Sequence, residues 1–337
     1  SKGGTSGDST RWGKIGYRTK SGATGCGSAN WSAESIFSPL RTTSDIMYVK
    51  MAQDRRTSSN NIAMTWVDTN DDISAVIWNG SSWVNEPSAV TDTNVEKVSS
   101  SHDIEDMDID YESLSGNIML VWANGSGNNG TNGVRYRRCT GGTSTCTWGA
   151  VTTPPSFLDD ATSLDISPNL NTDEIVFASI GNAGGDLQLG YWNGTAWTNT
   201  ANADTSCNVP YTGSKLVSTG WLTLGSTTRS VIVYSDLNST NINWYLGNAG
   251  VFTRQPDFVP TNPIASPRGY MDIHLNPRDP AQLMYLTSDN SNDFYAKRLV
   301  LTGTSTFTWT DSDAGNPLET SLPQIISSPF SFAFWQQ

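Results

Sequence analysis

The sequence predicts an all-β chain: a six-bladed β-propeller with four-stranded antiparallel blades, its ring closed by pairing of the N- and C-terminal strands. Three observations carry that expectation. A hairpin phrase recurs along the chain, each complete copy closes a four-strand unit, and the two chain ends hold the parts of one further unit. The hairpin is clearest at residues 190–198, GYWNGTAWT, where a strand ends in an aromatic, an Asn-Gly turn follows, and a second strand carries a Trp. Related phrases are VIWNGSSWV (76–84), VRYRRCTGGTSTCTWGA (134–150), IGYRTKSGATGCGSANWSA (15–33), WYLGNAGVFT (244–253) and AKRLVLTGTSTFTWT (296–310). Their second-strand aromatics, Trp31, Trp83, Trp148, Trp197, Phe252 and Trp309, fall at steps of roughly 50 to 65 residues, the period of a repeated supersecondary unit.

In chain order, residues 1–9 (SKGGTSGDS) are Gly/Ser-rich and aperiodic, which reads as linker with an anchor or filament segment upstream; residues 10–337 form a single propeller domain. Residues 11–33 supply two strands, the pair that ends every later unit. From Asp45 the units are complete. The first runs IMYVKMA, NIAMTWV, ISAVIW, SWV, and the second MDIDYE, NIMLVWA, GVRYRR, CTWGA. LDIS, EIVFASI, LQLGYW and AWT make the third; WLTLG, SVIVYS, INWYLG and VFT the fourth; MDIHL, QLMYLT, FYAKRL and FTWT the fifth. After Trp309 one more inner strand is expected at SPFSFAFW (328–335), so that the sixth blade is divided between the termini. Closure of that kind removes the open edges of a row of sheets. A two-sheet sandwich would not repeat a four-strand grammar at this period.

Composition narrows the function. The 337 residues carry a formal charge of -12, against the dense Lys/Arg surface that phosphate neutralisation requires, so nucleic acid is not an expected partner. Charged residues are only 15%, and thirteen Trp and eleven Tyr supply bulky fill for strands joined by tight turns. No apolar run approaches the length of a membrane span. Cys139 and Cys146 flank the turn of one hairpin and are expected to be bonded, whereas Cys26 and Cys207 lie half a ring apart. With the Ser/Thr/Asn-rich surface, this points to an extracellular or cell-surface location.

The polar pattern of the inner strands nominates a site. Asp108, Asp165 and Asp272 align at one register, with Ser331 as the sixth-blade match; Asp110, Ser167 and His274 follow two residues later. A side-chain period of two sends both sets to one face, the central channel, where Lys50 joins them. There they either bind neighbouring strands and water or hold a small polar ligand. The Asp/Asn-dense loops VDTNDDI (67–73) and TSDNSNDF (287–294) offer oxygen ligands for calcium through Asp68, Asp71, Asp289 and Asp293, or are simply tight turns. No cofactor is expected, calcium being the single candidate. His102 and His274 are the only histidines, without Cys/His spacing for zinc or a Ser/His/Asp order for a nucleophile.

The phrases MDIHLNPRDPAQLMYL (271–286) and SLDISPNLNTDEIVFAS (163–179) resemble the inner-strand phrase of sialidase-like propellers that carry Asp-box repeats, in which a proline-containing turn leads to an apolar strand. The Asp box itself, Ser-x-Asp-x-Gly-x-x-Trp, is echoed by GTSTCTW, NGTAW and GTSTFTW, which keep Gly, Thr and Trp and lack the Asp. The resemblance implies a propeller and, by extension, glycoside hydrolysis with three arginines against a substrate carboxylate, a Tyr/Glu nucleophile pair and an Asp acid. No Arg-Ile-Pro entry phrase and no motif-placed arginine trio occur; Arg268, in SPRGYMD, either faces the channel or packs locally. The expectation is therefore a surface or secreted module for binding, adhesion or assembly. A glycan is the expected ligand class and a surface protein the other partner; a sialidase-like hydrolase and a structural subunit of a surface filament or layer are the alternatives.

Overall fold

The computed structural model describes residues 13–20, 30–42, 44–93, 95, 106–125, 133–155, 161–181, 184–208, 215–237, 239–265, 268–289, 291, 293–311 and 316–320. These residues are all-β. A two-stranded antiparallel sheet, β1 (Ile15–Tyr17) with β2 (Ser35–Phe37), precedes five four-stranded antiparallel meanders. The first is β3 (Ile46–Gln53), β4 (Ile62–Asp68), β5 (Ile73–Trp78) and β6 (Trp83–Val84); the second is β7 (Met107–Tyr111), β8 (Ile118–Ala123), β9 (Val134–Thr140) and β10 (Thr147–Trp148). The third holds β11 (Ala161–Pro168), β12 (Ile175–Gly181), β13 (Leu187–Trp192) and β14 (Trp197–Asp204). The fourth holds β15 (Val217–Leu224), β16 (Thr227–Tyr234), β17 (Asn243–Asn248) and β18 (Val251–Arg254). The fifth holds β19 (Arg268–Leu275), β20 (Gln282–Asp289), β21 (Phe294–Leu301) and β22 (Phe307–Asp311).

The second strands of the second and third meanders are almost wholly apolar because both of their faces are covered. IMLVWA of β8 and IVFASIG of β12 are buried at every position, and neither alternates as a strand with one wet face would. Packing is layered between consecutive sheets. Ile109 and Trp122 of the second sheet meet Ala63 and Ile77 of the first, Phe177 and Trp192 of the third meet Met119 and Val121, and Val233 and Trp244 of the fourth meet Tyr285 and Leu299 of the fifth. Burial of this extent, at about 25 cal/mol per Å² of apolar surface, is the main stabilising term. The two-stranded sheet joins the series: Ile15 packs with Ile46 and Trp66, and Tyr17 sits edge-on to Trp78 and Trp83 at 5.7 Å between ring centroids.

Turn chemistry follows the sequence. In the 193–196 turn the Asn193 carboxamide oxygen accepts the N–H groups of Thr195 and Ala196, and Gly194 takes φ +91°, a conformation that penalises any Cβ. Asn79 and Gly80 repeat the arrangement. Cys139 and Cys146 are bonded across the end of the β9–β10 hairpin, with Cα atoms 5.4 Å apart. Cys207 is buried and unbonded, and Cys26 lies outside the described residues.

Two expectations need correction. The second strand of the first hairpin is Ser35–Phe37 and does not run through Trp31, which makes a single bridge to Lys20 and stays 42% exposed; Phe37 instead packs against Trp66 and Trp83 of the first meander. The fourth inner strand starts at Val217, four residues before the WLTLG phrase, because STGW continues the ladder with β16. The expected closing strand at 328–335, Ser331 and the linker at 1–9 lie outside the described residues.

Candidate functional site

The first strands of the five meanders, β3, β7, β11, β15 and β19, converge on one pocket of about 650 Å³. Period-two geometry makes that possible, since residues 108 and 110, 165 and 167, and 272 and 274 leave their strands on the same side. The pocket is lined by Asp108, Asp110, Asp165, Asp272, His274 and Lys50, so the aligned carboxylates meet in space as the register predicts. Arg268 opens β19, but its side chain lies outside the described set.

The carboxylates do a structural job first. One Asp108 oxygen accepts the Ile166 N–H of the next inner strand at 3.0 Å. One Asp165 oxygen accepts the N–H and hydroxyl of Thr219 at 2.7 and 2.8 Å. At the fourth position Ser218 replaces the carboxylate, and its hydroxyl accepts the Ile273 N–H at 3.1 Å. The same register thus staples one sheet to the next, using a side-chain acceptor against a backbone donor whose burial would otherwise cost about 1 to 3 kcal/mol. Backbone contacts add to it: Lys215 O accepts the Met271 N–H at 2.8 Å, and Trp221 Nε1 donates to Ser167 O at 2.8 Å.

Charge pairs cross the same junctions. Lys215, only 4% exposed, sets its ammonium 2.6 Å from Asp165 and 3.3 Å from Asp272, and His274 Nε2 lies 2.7 Å from the other Asp272 oxygen. Burial pushes the Asp272 carboxyl up, yet Lys215 and the bonded His274 outweigh it and hold the group well below the usual carboxylate range. On the opposite wall the pairs are long, with Lys50 to Asp108 at 3.6 Å and Arg55 to Asp110 at 3.8 Å. Burial raises the Asp108 carboxyl to about 7 against the pull of Lys50, and raises Asp110 against the pull of Arg55. Sequence reasoning missed Lys215, Arg55 and Ser218. A lone lysine placed just ahead of an apolar inner strand was the available signal for the first.

Asp68 and Asp289 occupy corresponding positions at the ends of β4 and β20, and their oxygens are engaged in turn closure. Asp68 accepts the N–H groups of Asn70 and Asp72 with one oxygen and that of Ser44 with the other; Asp289 accepts those of Ser291 and Asp293, and of Ala265. Asp71 lies in the first turn with φ +68°. Among the described residues, no group of three or more His, Cys, Asp or Glu side chains is arranged to hold a metal ion. The contacts of Asp68 and Asp289 are those of Asx-type turns.

No family model matches the sequence, and no curated protein matches it. Solved structures do. A lectin in complex with alpha-methyl fucoside is 10% identical over 85% of this chain and 86% of its own, with a TM-score of 0.46. A lectin from Burkholderia pseudomallei is 11% identical over 91% and 96%, at 0.45. The intramolecular trans-sialidase from Ruminococcus gnavus, solved with oseltamivir carboxylate, is 9% identical over 82% and 85%, at 0.47. At TM-scores below 0.5 no residue of this pocket is matched to a residue of theirs.

Proposed function

We propose that the chain is a binding module of the extracellular space or cell surface, that its central pocket takes a small hydroxyl-rich ligand, and that a carbohydrate is the ligand class. The observation that carries this is the pocket lining. Acceptor carboxylates, donor cations and the walls of Tyr48, Trp221 and Tyr270 meet in a space of about 650 Å³, within the size of known small-ligand sites. A sugar has alternating hydroxyls and an apolar C–H face, which such a lining matches.

Hydrolysis is less well supported, even though a carboxyl titrating near neutrality is what a general acid needs. Both Asp108 oxygens accept backbone N–H groups, from Ile109 at 2.9 Å and Ile166 at 3.0 Å, so the group is oriented along the strands. The full architecture proposed is a closed ring of six blades in which residues 328–335 complete the two-stranded first sheet. Removing residues 330–337 is then expected to lower the melting temperature more than removing residues 1–8, and equal melting temperatures would refute closure.

A glycan array run beside a panel of chromogenic glycosides tests the function. Glycan binding without turnover is the expected result. Turnover abolished by Asp165→Asn or Asp272→Asn, with binding kept, would replace the binding module by a sialidase-like hydrolase.

A further inference from the structure

The two walls of the pocket are built differently, and the difference locates the ligand. On the β11–β15–β19 wall the ions are in direct contact: Lys215 stands 2.6 Å from Asp165 and its side chain is 5% exposed. A hydroxyl entering there would have to break a sealed pair and leave a buried charge behind, which is strongly unfavourable. On the β3–β7 wall the corresponding separations are 3.6 and 3.8 Å, well beyond the roughly 2.7–2.9 Å of a charged hydrogen bond. The Arg55 side chain is 50% exposed and that of Lys50 20%.

We propose that the ligand sits against the β3–β7 wall and is a sugar without net charge, one of its hydroxyls bridging Asp110 to Arg55. This rests on the carbohydrate-binding reading above and adds its seat and charge class. A hydroxyl both donates and accepts, so it gives a proton to the carboxylate and takes one from the cation, completing a pair the protein leaves long. Asp110 is held in place for that role, because one of its oxygens accepts the Tyr111 N–H at 2.8 Å, whereas Asp108 beside it spends both oxygens on the Ile109 and Ile166 N–H groups. An acidic sugar would set its own carboxylate beside Asp108 and Asp110, and a like charge in a desolvated site is disfavoured. Met51, 63% exposed on β3, offers an apolar surface beside the gap for a C–H face.

The test is calorimetric titration of the intact protein with the methyl glycosides of glucose, galactose, mannose and fucose, and with N-acetylneuraminic acid as the acidic probe. At least one neutral glycoside is expected to bind, with N-acetylneuraminic acid at least tenfold weaker. Arg55→Gln and Asp110→Asn are each expected to raise Kd at least tenfold without moving the melting temperature. Asp68→Ala, in a turn outside the pocket lining, is expected to lower the melting temperature while leaving Kd of the folded protein within threefold. Preference for the acidic probe, or unchanged Kd in both Arg55→Gln and Asp110→Asn, overturns this assignment while leaving sugar binding standing. If none of the probes binds, the seat falls together with the reading it rests on.

Discussion

The β11–β15–β19 wall and the β3–β7 wall both place aspartates at one inner-strand register, yet their counter-ions are held at different distances. The former places a lysine that is 4% exposed between two carboxylates and ties each strand to the next through Asp165 with Thr219 and Ser218 with Ile273. In the latter the cations come from β3 and the residues just beyond it, and they stand off their partners. The difference teaches that an inner-strand aspartate is not a site by virtue of its register. What separates the two walls is how closely the counter-ion is held: 2.6 Å at Asp165, 3.6 Å at Asp108 and 3.8 Å at Asp110.

The largest expected effect is at Lys215. Lys215→Met removes the shared cation and leaves Asp165 and Asp272 facing each other in a buried site, so a loss of about 3 to 5 kcal/mol is expected in denaturant unfolding. A loss below about 1 kcal/mol would break the distinction between the walls, because it would put Lys215 on the footing of a surface pair. Next comes Asp68→Ala at the end of β4. It removes the acceptor for the Asn70, Asp72 and Ser44 N–H groups and should cost about 1 to 3 kcal/mol, with no recovery on adding calcium. Recovery by calcium would return that loop to the metal-binding class.

Acid dependence should separate the walls by sign. An unfolded aspartate ionises near about 4, whereas the folded Asp108 keeps its proton up to about 7, so the folded state binds more protons between these values. Raising pH through that window therefore costs stability at Asp108. Asp272 behaves oppositely: its folded carboxyl is depressed, so its contribution is complete above about 4 and is lost as pH falls below. Melting temperatures across pH should lose the first slope in Asp108→Asn and the second in Asp272→Asn; the same slope lost in both would contradict the assignment. The smallest effect is expected at Arg55→Gln, within about 0.5 kcal/mol of the parent, since its pair with Asp110 is long and half-solvated.

Much of the architecture was legible because strand grammar is local. Alternation, Asn-Gly turns and the recurrent second-strand Trp are all written in neighbouring residues, and the five meanders lie where those signals put them. The pocket was legible in part for the same reason, as period two brought Asp108, Asp165 and Asp272 to one face. Non-local partners were not. Ser218 carries no charge to mark it, Lys215 precedes its strand by two residues, and Arg55 reaches Asp110 from beyond the end of β3. The acidic turns read two ways in the sequence because an Asx turn and a calcium loop draw on the same residues; in the structure the Asp68 and Asp289 oxygens accept turn N–H groups.

The most direct measurement is a crystal structure of the protein with the neutral methyl glycoside that it binds most tightly. The account predicts the sugar between β3 and β7, with hydroxyls within hydrogen-bond distance of Asp110 and Arg55 and with the Lys215–Asp165 pair undisturbed. A sugar bound only at the outer sheet edges, or one inserted between Lys215 and Asp165, would contradict it.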